Sequence, residues 1–250
     1  MKTVILVWKN NSIHHNKKCD DLFQLVKGTC FLYHLSKIIP FKLYIDTHHH
    51  AISSCLTPLE HPYQKLIADH IHEIPIVHDP EYYIRSSEKN ILFFSSTTYL
   101  YFPLPVECKQ LIQQILMPSN SLMLRLLPIP VNTIVHVHIN NPIISISKYK
   151  HLFYIIYNKI KPYLSDSTIV LSDTVEFKHY VKVHDNCIVF DTLIGNIGYP
   201  PHNNTIEDTL FDLYLMAKAK KIYSFSWGKD IPGFLKIAYV YDIPIVEIKN

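Results

Sequence analysis

The sequence predicts an α/β protein built from two small halves, each with a short parallel sheet, and with a cleft between them. Three observations carry this. Short runs rich in Val, Ile and Leu alternate with longer stretches of helical periodicity, the order that builds parallel strands flanked by helices. The chain opens strand, helix, strand, which is a βαβ unit. Midway, Pro118-Ser119-Asn120-Ser121, then Pro128 and Pro130, interrupt the pattern with turn residues and divide the chain into halves at residues 1–125 and 126–250.

Thr3-Val4-Ile5-Leu6-Val7-Trp8 reads as a first buried strand, followed by a polar loop rich in Asn and His. Asp20 or Asp21 caps a helix reaching about Ile38, with Leu22, Leu25, Val26, Cys30, Phe31 and Leu35 on its apolar side. Pro40 ends that helix, and Phe41 to Asp46 alternates as a second strand. Residues 48–69 read as loop with a short helix. Residues 70–77 and 91–95 are further strand candidates, and residues 106–117 are helical, helped by Glu107 in the first turn.

In the second half, a strand at residues 133–139 precedes a helix at 148–163 and a strand at 168–171. Ser172-Asp173-Thr174 caps a helix to about Val183, and residues 188–190 are strand. Thr205 is the expected N-cap of a helix carrying Leu210, Phe211, Leu213, Tyr214, Met216 and Ala217 on one side. Its basic last turn, Lys218-Ala219-Lys220-Lys221, suits the negative end of the helix dipole. A strand at 222–225, a loop Ser226-Trp227-Gly228, a helix at 234–241 and a buried-looking strand at 243–248 complete the chain.

At 48% hydrophobic and 18% charged residues over 250 positions, the chain can bury a substantial core, which excludes global disorder. A net charge of +3 with scattered Lys and Arg does not suggest nucleic-acid binding. Tyrosines are plentiful, but no basic stripe interleaves with them. The five cysteines are widely spaced and form no Cys-x-x-Cys pair, which reads as reduced thiols of a cytoplasmic protein. The first strand is too short for a signal peptide, and no apolar run reaches membrane-spanning length.

Open α/β sheets bind ligands where their strands end. Ser224, Ser226, Trp227 and Gly228 lie at such an end, where a glycine after two hydroxyls lets an anion approach backbone N–H groups. An ordinary strand-to-helix turn would look the same. His136 and His138, two apart on a strand, face one way and could bind phosphate or a metal. His70 and His72 share that spacing, and His48-His49-His50 cluster in a loop; with sixteen histidines, some pairs arise by chance. No third ligand at diagnostic spacing accompanies either pair, so no metal or other cofactor is expected. Ser172, Asp173 and Thr174 serve as a helix cap, a nucleotide contact, or both. Gly-x-Gly-x-x-Gly, Walker and Gly-x-Ser-x-Gly motifs are absent, which removes the main support for dinucleotide, NTPase and α/β-hydrolase readings.

Several stretches taken together resemble the fucosyltransferase-like family, whose members share the GT-B fold of two Rossmann-like halves and include relatives encoded by large DNA viruses. Asp21 to Thr29, with Leu32 to Lys37, resembles the family's N-terminal loop and helix. Phe41 to Asp46 and His50-Ala51-Ile52-Ser53 match the strand and the His-Pro-Ile-Ser-like segment that follow. Val135-His136-Val137-His138 resembles the strand ending His-x-Arg, and Val170-Leu171-Ser172-Asp173-Thr174 its Ser/Thr-Asp turn. Ser224 to Gly228, with Phe234 and Ala238, resembles the last donor loop and helix.

The resemblance implies metal-independent transfer of a sugar from a nucleotide-sugar donor of the GDP-fucose kind to a glycan or protein acceptor. The donor diphosphate would lie near His138, Ser226 and Gly228 in the second half. The acceptor would meet the first half around Asp21, Gln24, Lys27 and His50, with His50 or Asp46 as the general base.

The departures are as informative. The family's loop reads Gly-x-Gly-Asp-x-x-Arg-Gly, whereas Asp21 and Phe23 replace both of its first glycines, Gln24 its Asp and Lys27 its Arg. His138 stands in place of the diphosphate-binding Arg, and imidazole lacks the guanidinium fork. These changes imply altered donor use, weak activity, or a non-catalytic binding or structural protein that keeps the fold.

Overall fold

The computed structural model describes residues 1–9, 22–60, 62–70, 79–95, 104–139, 146–192, 203–227 and 232–249. They form two units, one mainly of residues 1–121, the other of residues 122–195 and 201–250.

In the first unit, β1 (Lys2–Lys9) is apolar from Val4 to Trp8, and all five of those side chains are fully buried. A strand with apolar residues on both faces must be covered on both faces, as parallel sheets are. The helix α1 (Leu22–Ile38) leads to β2 (Phe41–His49), which lies parallel to β1. After β2 come a 3-10 turn at Ala51–Cys55, α2 (Gln64–His70) and α3 (Pro80–Ser86). Then β3 (Ile91–Ser95) pairs with β1, also in parallel, giving the order β2-β1-β3, and α4 (Val106–Ile115) follows. Ile5 and Val7 of β1 pack with Ile67 of α2, and Tyr44, Tyr63, Ile91 and Phe93 close that layer.

Three features of this unit differ from the sequence reading. His70, the first residue of an expected strand, instead ends α2, and residues 71–78 lie outside the described part. The helix α3 was not anticipated, although its signals were present: Asp79 accepts from the Tyr82 N–H at 3.0 Å, and Pro80 occupies the first turn. The strand β2 continues past Asp46 to His49, and its pairing slips there. Asp46 lies opposite Val7 but His49 lies opposite Lys9, so β2 carries one extra residue, a β-bulge.

The second unit begins with α5 (Asn120–Leu126), a short helix within the expected boundary turn. Next come β4 (Thr133–His138), α6 (Ile146–Ile160) with a 3-10 extension to Tyr163, β5 (Thr168–Ser172), α7 (Val175–His184) and β6 (Ile188–Val189). The chain continues through α8 (Asn203–Lys218), β7 (Lys221–Ser226), α9 (Gly233–Lys236) and β8 (Ile245–Glu247). All pairings are parallel and the order is β6-β5-β4-β7-β8. The chain thus fills one side of β4, then crosses to build the other, so strand order reverses between β4 and β7.

Val135, Val137, Val170 and Phe225 form one face of this sheet. Phe153, Ile156 and Ile160 of α6 and Phe177 and Val181 of α7 cover it. The Phe153 and Phe177 rings meet edge to face at 5.4 Å. Truncating such a buried side chain to Ala typically removes 2–5 kcal/mol.

Local departures have local causes. The helix α8 starts at Asn203, so Thr205 lies inside its first turn and not at the cap. The expected last helix is α-helical for one turn only, then 3-10 from Ile237 to Tyr241, ending at Asp242 in the left-handed region (φ 57°). The final strand is not buried: β8 is a sheet edge, and Val246 and Glu247 are exposed.

Among the described cysteines, Cys30, Cys55, Cys108 and Cys187 are buried and form no disulfide. No described helix is long and apolar enough to cross a membrane.

Candidate functional site

The carboxyl ends of β4 and β7 lie side by side at the reversal of strand order, where open α/β sheets accept ligands. His136 is paired with Ser224, and His138 with Ser226. Because alternate residues share a face, these four side chains line one face of the sheet, opposite Val135, Val137 and Phe225. The Trp227 N–H donates to the His138 carbonyl at 2.9 Å, carrying the pairing one residue past the strand. Trp227 itself is 43% exposed. Gly228 lies outside the described residues.

The turn from β5 to α7 is built differently from a helix cap. Thr174 occupies the N-cap position but makes no side-chain cap bond, and Ser172 Oγ accepts from the Thr174 N–H at 3.2 Å. Asp173 turns away from α7 to the neighbouring strand. Its Oδ1 accepts from the Ile139 N–H at 3.0 Å, and its Oδ2 lies 2.8 Å from His138 Nδ1. The Thr174 hydroxyl donates to the same carboxylate at 3.3 Å. A carboxylate only accepts, so this contact puts a proton on Nδ1 of His138. Asp173 therefore sets the tautomer and orientation of His138 and also ties down the backbone just beyond it.

His136 behaves otherwise. It is 3% exposed, and its Nδ1 has no hydrogen-bond partner among the described residues. Burial, reinforced by the charge of His138 and partly offset by Asp173, lowers its pKa to about 4. It is neutral at pH 7 and brings no charge to an anion.

A third polar group in this unit escaped the sequence reading. Lys178 of α7, wholly buried, donates to the carbonyl and to the hydroxyl (3.0 Å) of Thr192. That hydroxyl donates to the Asp212 carboxylate of α8 at 3.1 and 3.2 Å. Burial lowers the Lys178 pKa, opposed by Asp212, and raises that of Asp212 to about 7, opposed by Lys178 and the Thr192 hydroxyl. The available signal was a carboxylate set among Leu210, Phe211, Leu213 and Tyr214, at a position where the apolar pattern of α8 leaves it inside.

In the first unit, Asp46, His48, His49 and His50 converge where β2 ends. Asp46 is completely buried; its Oδ1 lies 2.7 Å from His48 Nδ1 and its Oδ2 lies 3.6 Å from His49 Nε2. His50 is 2% exposed and caps the following 3-10 turn, its Nδ1 accepting from the Ile52 N–H at 3.2 Å. Burial lowers its pKa to about 4, so its ring is neutral, with Nδ1 occupied by the backbone. Lys27 stands on α1 with its ammonium over the Phe23 ring at 5.6 Å. Gln24 is in the same helix, its side chain outside the description, and Asp21 lies outside the described residues. Sequence reading singled out Asp46 and His50; the structure adds His48 and His49 as partners of Asp46. No cluster of three or more described His, Cys, Asp or Glu residues could hold a metal ion.

No protein-family model matches the sequence, and no curated protein matches it. Solved structures do. The NodZ alpha-1,6-fucosyltransferase soaked with GDP-fucose superposes with a TM-score of 0.61 at 12% identity, over 99% of this chain and 95% of that one. The form co-crystallized with GDP gives the same values. The fucosyltransferase NodZ from Bradyrhizobium gives a TM-score of 0.60 at 12% identity, over 99% and 95% of the two chains. At that identity the likeness concerns architecture: this chain is an α/β protein of two parallel sheets that shares the GT-B fold of those fucosyltransferases.

Proposed function

We propose that this chain is a glycosyltransferase that takes a sugar from a nucleotide-sugar donor of the GDP-fucose kind and passes it to a glycan or protein acceptor. The observation that carries the reading is the pairing of His138 with Ser226 at the ends of β4 and β7, with Asp173 orienting His138. NodZ, with the same fold, was soaked with GDP-fucose and co-crystallized with GDP.

The donor belongs to the second unit, its diphosphate toward His138, Ser226 and the loop through Trp227 and Gly228. Ser172, Asp173 and Thr174 border that site from the next strand. The acceptor belongs to the first unit, toward α1 with Gln24 and Lys27 and toward the end of β2. Chemistry of this kind needs positioning and stabilisation of a departing diphosphate, which fixed hydrogen-bond donors supply without a metal.

His138 has a specific requirement. Its Nδ1–H is directed at Asp173, so its other nitrogen donates to phosphate only when the ring is doubly protonated. An arginine in that place would donate to phosphate whatever the pH.

Calorimetric titration with GDP, GDP-fucose and UDP tests the reading. GDP and GDP-fucose should bind. His138→Gln should weaken binding by about 10- to 100-fold, the loss of a charge-assisted hydrogen bond of roughly 1.5–3 kcal/mol. Absence of binding by all three ligands would remove the enzymatic reading. The imidazole in place of the family's Arg favours a second reading, a non-catalytic member of the fold. That reading predicts no nucleotide response in the native chain or in His138→Arg.

A further inference from the structure

We propose that Cys30 of α1 and Cys108 of α4 are a redox pair: a small hydroperoxide oxidises them to a disulfide that staples the two helices of the first unit, and a thiol reductant restores them. The proposal lies wholly within the first unit and does not depend on the glycosyl-transfer reading.

The helices bring the two residues together. Leu22, Val26 and Cys30 recur every four residues along α1, and all three are buried. Cys108, Ile112 and Ile115 make the matching buried stripe on α4. The two helices pack directly, with Cα atoms approaching within 8 Å. A disulfide requires Cα atoms about 4.4–6.8 Å apart, so the spacing is close to what the bond needs. A cysteine on an apolar stripe is ordinarily a small hydrophobe and nothing more. Here the stripes place two of them opposite each other, far apart in sequence, with a hydrogen bond between their side chains.

That hydrogen bond makes the two sulfurs unequal. It lowers the pKa of Cys30, against the opposing effect of burial, and together with burial raises that of Cys108. Cys108 is therefore the donor and Cys30 the sulfur that more readily carries charge, and the thiolate is the nucleophile. Cys30 retains 3% of its surface and Cys108 none. Hydrogen peroxide is little larger than water, and brief local opening of a helix suffices to admit it. The other described thiols are placed differently. Cys55 lies 3.7 Å from the Ser54 hydroxyl, and burial pushes Cys187 of the second unit up to about 11.

The chemistry runs in two steps. The Cys30 sulfur attacks one peroxide oxygen, the O–O bond breaks, and the other oxygen leaves as water with the Cys30 proton, giving a sulfenic acid. The Cys108 sulfur then attacks the Cys30 sulfur, the S–O bond breaks, and a second water leaves with the Cys108 proton. Both sulfurs are oxidised by one electron each, and the peroxide accepts the two electrons.

The test uses the full chain, reduced and then treated with a stoichiometric dose of hydrogen peroxide. After the remaining thiols are blocked, peptide mapping without reductant should recover Cys30 linked to Cys108. Closing a loop of roughly eighty residues should raise the unfolding midpoint by about 5–15 °C, and dithiothreitol should reverse the rise. In Cys108→Ser the first step has no resolving partner, so dimedone should label Cys30. Neither Cys108→Ser nor Cys30→Ser should show the rise. The mapping on the native chain decides the matter whether or not these variants fold.

Absence of the Cys30–Cys108 peptide after the peroxide is consumed overturns the proposal. So does a linkage that forms only in urea, which would mean that the native helices hold the sulfurs apart. A linked protein that melts no higher than the reduced one overturns the staple.

Discussion

Replacing His136 with Gln isolates the effect of a buried imidazole on acid stability. The ring is 3% exposed, and burial holds its pKa near 4, against about 6.5 for an ordinary histidine. Below pH 6.5 the unfolded chain therefore binds a proton that the folded protein refuses until about pH 4. Where the unfolded state binds more protons, stability rises with pH. The contribution of the neutral ring is thus complete above pH 6.5 and lost progressively as pH falls toward 4. The full gap is worth roughly 3 kcal/mol, at about 1.4 kcal/mol per pH unit. Gln is polar, of similar reach, and does not titrate. Urea unfolding at about pH 7.5 and about pH 4.5 should show the native chain losing roughly 2.5 kcal/mol more than His136→Gln over that interval. His50, also lowered to about 4, acts in the same direction, while Asp212, raised to about 7, acts in the opposite one. Both are present in the two proteins and cancel in the comparison. Equal losses in the two proteins would refute the reasoning, because they would mean that His136 titrates normally in the fold.

Two further outcomes follow from the second unit and one from the chemistry. Lys178→Met should destabilise by about 1–3 kcal/mol in urea, since it removes the donor to Thr192 and the cation near Asp212, whose carboxyl then takes up a proton instead of standing as a bare charge. Lys178→Met with Asp212→Leu should lose clearly less than the sum of the single changes; strict additivity would show that the two groups do not interact. Turnover of GDP-fucose should survive treatment with EDTA, and a loss restored by a divalent cation would contradict metal-independent transfer.

The fold was largely legible along the chain. Runs such as Thr3 to Trp8 and Ile91 to Ser95 became strands, and the period of α8 carried its apolar face into the core. Strand-helix alternation implied the parallel pairing found in both sheets. The misses lie where local signals compete. Asp79-Pro80 was a usable helix start that went unread before the seven-residue helix α3. The apolar run at 243–248 looked buried, but only sheet order reveals that β8 is an edge.

The candidate site was legible in part. The pairs His136/His138 and Ser224/Ser226 were visible, since a strand's alternation puts such residues on one face. Their meeting was not, because β4 and β7 are separated by β5 and β6 in the chain and adjacent only in the sheet. Ser172-Asp173-Thr174 carries the sequence signature of a cap, but Asp173 spends its hydrogen bonds on Ile139 and His138, more than thirty positions back.

What the sequence determined by itself is the set of elements and the faces they bury, because strand and helix periods and turn chemistry act over a few neighbouring residues. What only the tertiary structure decided is which polar groups meet. Asp173 reaches His138, Lys178 reaches Asp212 through Thr192, and a bulge in β2 turns His48 and His49 onto Asp46. Burial then set their chemistry, lowering His136 and His50 to about 4 and raising Asp212 to about 7. The cost of desolvating a charge depends on everything packed around it, and so on parts of the chain far away in sequence.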